Sequence, residues 1–108
     1  MSDLDLVRHI LDEVVFLRTA AAGTSLEAFL RDEVLKRAFA RSLEIVGEAS
    51  KKLSPGFREA HPFVEWRLMA GTRDKLIHDY FGVDYAIVWD IVVTELPRLE
   101  EEIRGLLG

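Results

Sequence analysis

Apolar residues recur at steps of three and four along nearly the whole chain, and this spacing constrains the fold more than any other feature. Leu4, Val7, Ile10/Leu11, Val14 and Leu17 mark one face of a first helix, because side chains three and four apart lie above one another on a 3.6-residue turn. Gly23 ends it, and Thr24 with Glu27 three residues later reads as a capping box for the next helix. From Leu26 a long pattern runs through Phe29, Val34, Phe39, Leu43, Val46 and Ala49 to about Leu53, with a shift of stripe at Arg31–Asp32 that admits a break there. Ser54-Pro55-Gly56 reads as a stop and turn. His61-Pro62 opens a further helix to about Phe81, since proline is tolerated in a first turn. Gly82-Val83-Asp84 ends that helix, and Asp84 is placed to cap the last one. Pro97 falls inside the last helix and removes its N–H bond to the carbonyl of Val93, so a kink or a break is expected there.

No segment sustains strict alternation flanked by turn signals. Val83–Val93 is the one plausible strand, yet Ile87, Ile91 and Leu96 with Val88, Val92 and Leu99 also suit a helix buried on most sides. The expected fold is all-α, an antiparallel bundle of four to five helices with short connections. At 108 residues the chain is expected to form a single domain, 1–108. It contains no cysteine, which excludes a disulfide framework, a thiolate metal site and a cysteine nucleophile. No apolar run approaches the ~20 residues that span a bilayer, and the acidic start Met1-Ser2-Asp3-Leu4-Asp5 is unlike a signal peptide. A cytoplasmic location with no membrane partner is the expectation.

The formal charge of -5 is unevenly spread. Arg31 to Lys75 holds 10 Lys/Arg against 7 Asp/Glu, whereas the rest of the chain holds 4 against 12. The middle can therefore present a basic face on an acidic protein. Arg37 and Arg41 stand four apart on one helix face, and Lys51, Lys52 and Lys75 complete the candidates for contacting phosphates. The same residues also read as an ordinary solvated face of mixed charge.

Ionisable groups interrupt the apolar pattern in the segment Gly71-Thr72-Arg73-Asp74-Lys75-Leu76-Ile77-His78-Asp79-Tyr80-Phe81. On a helix Arg73 and Tyr80, seven apart, are nearly eclipsed, and Asp74 and His78, four apart, share a side. A carboxylate beside imidazole favours the protonated ring and sets its orientation. Arg73 and His78 lie about 140° apart around one helix, so they converge only if the helix distorts, if Arg73 reaches around, or if two subunits meet. His9 and His61 have no ligand spacing with each other or with carboxylates, so no metal site is expected. There is no glycine-rich phosphate loop, no nucleophile elbow and no sign of a cofactor.

This segment resembles the R-x4-H-x-Y motif of the HepT-like branch of the HEPN superfamily, with Arg73, His78 and Tyr80 at its three positions. The run Arg41-Ser42-Leu43-Glu44-Ile45-Val46-Gly47-Glu48-Ala49 looks like that branch's second-helix signature. Trp66 before the motif, and Asp84, Trp89 and Leu96-Pro97 after it, fit the same pattern. The resemblance extends over nearly the whole chain. It implies an all-α, homodimeric toxin of a type VII-like toxin–antitoxin pair, cutting RNA without a metal or cofactor in a cleft shared by two subunits. Arg73 and His78 would then be catalytic, with Asp74 supporting. Tyr80 matches the tyrosine that a partner MntA-type nucleotidyltransferase antitoxin modifies with AMP. Arg37, Arg41, Lys51, Lys52 and Lys75 would be candidates for binding the RNA. Asp74 departs from the asparagine or other polar residue frequent in HEPN motifs and adds a negative charge beside the phosphate site.

The chemistry agrees with that implication. Metal-free cleavage needs a base for the 2′-OH proton, positive charge for the phosphorane and an acid for the leaving oxygen. Histidine titrates near neutral pH and serves as either acid or base, and arginine presents a planar fork to the non-bridging oxygens. Two-fold symmetry would bring two copies of each into one cleft, and the product would carry a 2′,3′-cyclic phosphate. An AMP on Tyr80 would place an anion across the positive centre. The other reading is an inactive HEPN module that binds a nucleotidyltransferase partner, RNA or a nucleotide; intact Arg73 and His78 favour the enzyme.

Overall fold

The computed structural model describes residues 1–66, 69 and 82–108. Among them the chain is all-α: α1 (Asp3–Ala22), α2 (Leu26–Arg31), α3 (Glu33–Lys52), α4 (Pro55–Ala60), α5 (Tyr85–Asp90) and α6 (Leu96–Leu107), the last two joined by a wider π turn, Ile91–Glu95. None of the described helices is long and apolar enough to cross a membrane.

Each helix start has a local chemical cause. Ser2 and Asp5 form a reciprocal capping box on α1, Ser2 Oγ accepting from the Asp5 N–H at 3.1 Å and the Asp5 carboxylate accepting from the Ser2 N–H at 3.2 Å. Asp32 ends α2 and begins α3; its extended backbone interrupts the helix while its carboxylate accepts from the Leu35 N–H at 2.9 Å. The break expected at Arg31–Asp32 is therefore a cap, since aspartate competes with the helical backbone for hydrogen bonds. Asp84 caps α5 as expected, accepting from the N–H groups of Ala86 and Ile87.

Four local expectations are corrected. Ser25, not Thr24, caps α2, accepting from the Ala28 N–H at 3.2 Å, while the Thr24 N–H closes the end of α1 on the Ala21 carbonyl. Ser54-Pro55 starts a helix instead of only ending one: Ser54 is the cap of α4 and Pro55 its first residue, where the missing N–H has no intrahelical partner to lose. His61 consequently closes α4 rather than opening a new helix. Leu4 is 44% exposed, and Leu6 takes its place on the buried face of α1.

The last helical run passes Pro97 without a break, staying helical from Tyr85 to Leu107 and taking up the missing donor in a π turn. The chain widens before the proline, with the Leu96 N–H reaching back to the Ile91 carbonyl, and Pro97 lies in the first turn of α6. The segment Val83–Val93 is helical from Tyr85 onward rather than a strand.

α1 and α3 form the most extensive contact and run antiparallel. Three pairs fix the direction: Ser54 with Asp3, Ser42 Oγ with the Glu13 carbonyl, and the Phe39 ring with Phe16. Val7, Ile10, Val14 and Leu17 of α1 are fully buried against this seam, and Phe39, Leu43 and Val46 nearly so from α3. Each such side chain contributes about 1.5–3 kcal/mol over leaving it exposed. α6 packs on α1 as well, with Arg18 on Glu100 at 3.0 Å at the surface. Phe29 carries α2 into the core, its ring 4.8 Å from Phe39 and 5.2 Å from Trp89 between centroids. Replacing Phe29 by alanine is expected to cost about 3–5 kcal/mol, read as a lowered midpoint in urea unfolding.

Exposed carboxylates at the helix ends and surfaces are held ionised. Asp3 lies below the ordinary aspartate value because Ser54 donates to it from both its N–H and its hydroxyl. Glu33 is lowered by Lys36, and Glu100 by the hydrogen bond from Arg104 and then that from Arg18. A folded pKa below the unfolded one stabilises the fold above the unfolded value, and the stability is lost as pH falls through the folded value. Thermal midpoints should therefore be nearly flat from pH 7 to 5 and drop below about pH 4. The gap between wild type and Asp3→Ala should close over that same acid range.

Candidate functional site

The motif residues Arg73, Asp74, Lys75, His78 and Tyr80 lie outside the described residues. The structure describes the frame on either side of them.

On the entering side, Val64, Trp66 and Met69 are buried. The Trp66 Nε1–H donates to the His61 carbonyl at 3.0 Å, and Phe57 lies 6.0 Å from the Trp66 ring. The fit of Trp66 to the family pattern thus has a physical basis: it anchors the chain to the end of α4 just before the motif. His61 sits among aromatic rings, 4.6 Å from Phe57 and 5.9 Å from Phe63. Among the described residues no group of three or more His, Asp or Glu is placed to hold a metal ion.

On the leaving side, Gly82 has φ +124, a conformation that side-chain-bearing residues rarely adopt. Among the described residues nothing lies within 4 Å of a Cβ built there, so the requirement they show is one of backbone torsion. Asp84 then restarts the helix. Trp89 is half-buried and packs against Phe29 at the edge of the core. One link escaped sequence reading. The Lys36 ammonium lies 2.9 Å from Glu33 and 4.9 Å from the centroid of the Tyr85 ring, which joins the first turn of α3 to the first turn of α5. No local signal announces a contact between residues so far apart in the chain.

The candidate basic residues fall along α3. Arg37 is open, its guanidinium 3.9 Å from Glu33. Arg41 is engaged by Glu44 at 3.2 Å and by Glu48 at 3.9 Å. Lys51 and Lys52 are exposed in the last turn, where positive charge complements the helix dipole. About 15 Å of helix rise separates Lys51 from Arg41. The structure therefore gathers Arg37 and Arg41 at one end and the two lysines at the other, with carboxylates between. Lys75 lies outside the described residues.

The Ribonuclease HepT-like family model matches residues 10–106. A protein of Caldanaerobacter subterraneus subsp. tengcongensis, named "Putative RNase TTE0752", is 52% identical over 94% of this chain and 90% of its own length. "Putative RNase MJ0127" of Methanocaldococcus jannaschii is 45% identical over 95% of this chain and 82% of its own. "Probable ribonuclease HepT" of Thermococcus cleftensis is 38% identical over 97% of this chain and 96% of its own. No solved structure gives a significant match.

The torsion at Gly82 makes a local prediction. Gly82→Ala should lower stability by about 1–3 kcal/mol through backbone strain alone, measured by thermal or urea unfolding. An unchanged midpoint would show that the turn relaxes without strain.

Proposed function

Because this chain belongs to the HepT-like ribonuclease family, we propose that it is the toxin of a type VII-like toxin–antitoxin pair. It acts in the cytoplasm as a homodimeric RNA endonuclease that needs no metal. The observation that carries this reading is the family match over residues 10–106, which encloses Arg73, His78 and Tyr80 at R-x4-H-x-Y spacing. The names of these three relatives, each containing RNase or ribonuclease, support the substrate class.

In this reading a cleft between two subunits holds the scissile phosphate. One His78 takes the 2′-OH proton, and the freed oxygen attacks phosphorus. The Arg73 guanidinium binds the non-bridging oxygens as charge builds on the phosphorane. The second His78 returns a proton to the 5′ oxygen, which leaves as the P–O bond breaks. The products are a 2′,3′-cyclic phosphate and a 5′-hydroxyl. Asp74 favours the imidazolium form of its neighbour. A partner MntA-type nucleotidyltransferase silences the enzyme by transferring AMP to the Tyr80 hydroxyl, and the added phosphate occupies the arginine site. Arg37, Arg41, Lys51, Lys52 and Lys75 guide the RNA backbone by charge.

The test is cleavage of RNA in EDTA by purified protein whose mass shows no AMP adduct, beside Arg73→Ala and His78→Ala. Wild type is expected to cut RNA and leave DNA intact, because DNA lacks the 2′-OH. Each variant should lose about 10²–10³-fold or more in rate. Tyr80→Phe should still cut RNA but resist silencing by the partner. Failure of unmodified, dimeric wild type to cut varied RNAs would sink the nuclease assignment and favour a binding module.

A further inference from the structure

A cleft of about 270 Å³ opens between α3, the π turn and α6. Its floor is apolar, formed by Leu43, Val46, Met69, Ile91, Leu96 and Leu99, all buried. Its rim is acidic. Among the described residues, Glu65, Glu95 and Glu102 stand around the mouth with one cation, Arg98. Arg98 is engaged by Glu102 at 2.8 Å. Glu65 and Glu95 are exposed and carry no ion pair among the described residues.

An apolar floor beneath exposed carboxylates repels phosphate and favours an apolar group carried beside positive charge. The volume lies just below the range of small-ligand pockets and suits one or two side chains rather than a whole helix. We infer that this cleft is a docking pocket for a partner protein, receiving an apolar anchor of leucine or phenylalanine size flanked by Lys or Arg in a basic amphipathic segment. The sign of the rim sets this occupant apart from nucleic acid. Its place on α3 separates it from Arg37 and Arg41 as well. At 100° per residue, Leu43 and Val46 lie about 120–180° around the helix from those two arginines. A partner seated in the cleft leaves them open. The inference does not rest on the ribonuclease reading.

Methionine labelling provides the direct test, because the chain has only 2 Met, the buried Met69 and the exposed Met1. Full-length protein carrying ¹³C-methyl methionine is titrated with an amphipathic Leu/Lys model peptide. Two controls are used, one with Glu for Lys and one with Ala for Leu. The Met69 methyl signal should shift saturably with the Leu/Lys peptide alone, while Met1 stays unmoved. Reversing both exposed carboxylates, Glu65→Lys with Glu95→Lys, should weaken binding about fivefold or more at an unchanged circular dichroism spectrum. An unmoved Met69, equal binding of the Ala/Lys peptide, or affinity unaffected by the double reversal would each overturn the proposal. A smaller sedimenting species in the double variant would also overturn it, since the cleft would then be a contact between copies of this chain.

Discussion

The packing of Phe29 between Phe39 and Trp89 is the interaction on which the arrangement of the bundle most depends. α2 is only six residues long, too short to hold itself together in water. It persists because Phe29 is fully buried and its ring meets one aromatic from α3 and one from α5. Three helices are thereby tied at one point. Beside it, Lys36 lies over the Tyr85 ring and strengthens the same junction by a cation–π contact. Together these contacts set where the chain resumes after Gly82, on the leaving side of the motif segment. Trp66 does the equivalent work on the entering side through its bond to the His61 carbonyl. The motif segment is thus bracketed by two indole anchors, Trp66 and Trp89.

The surface polar contacts contribute direction more than energy. Exposed ion pairs are worth roughly 0–1 kcal/mol each, so Arg18 on Glu100 and Arg104 on Glu100 add little to stability. Asp3 on Ser54 has a different use. It joins the first turn of α1 to the cap of α4 and so helps hold the antiparallel register of α1 and α3. The apolar seam supplies the free energy, and a few directional bonds choose one alignment of it.

Charge is distributed with the same economy of means. An acidic protein that acts on RNA must keep its carboxylates away from the phosphate path. On α3 the open guanidinium of Arg37 lies on the side away from the apolar cleft, whose rim carries Glu65 and Glu95. Arg41 is partly neutralised by Glu44 and Glu48, so positive potential is stronger at the start of α3 than along its middle. Under the proposed reading, RNA on Arg37 and a protein in the cleft would meet different sides of α3.

Much of this was legible in one dimension because it depends on short-range physics. Helix faces follow from the 3.6-residue repeat, the Asp84 cap from a side chain that reaches two residues on, and the widened turn before Pro97 from one missing N–H. The motif itself is a spacing within a single segment, and with the matching residues before and after it this carries the family. Ser54-Pro55 is ambiguous in one dimension because a turn and a helix start use the same two residues; in the fold Ser54 caps α4 and is held by Asp3, while Phe57 packs near Trp66. Leu4 and Leu6 both stand near the stripe of α1, and the position of the neighbouring helices chose Leu6. The Lys36–Tyr85 contact, the Asp3–Ser54 clasp and the acid-rimmed cleft each join segments far apart in the chain. Periodicity and capping are set by neighbours within one turn, so the sequence by itself determined the helices, their main boundaries and the family motif. Which distant surfaces meet depends on how the apolar faces pack at once, and that was decided only by the tertiary structure.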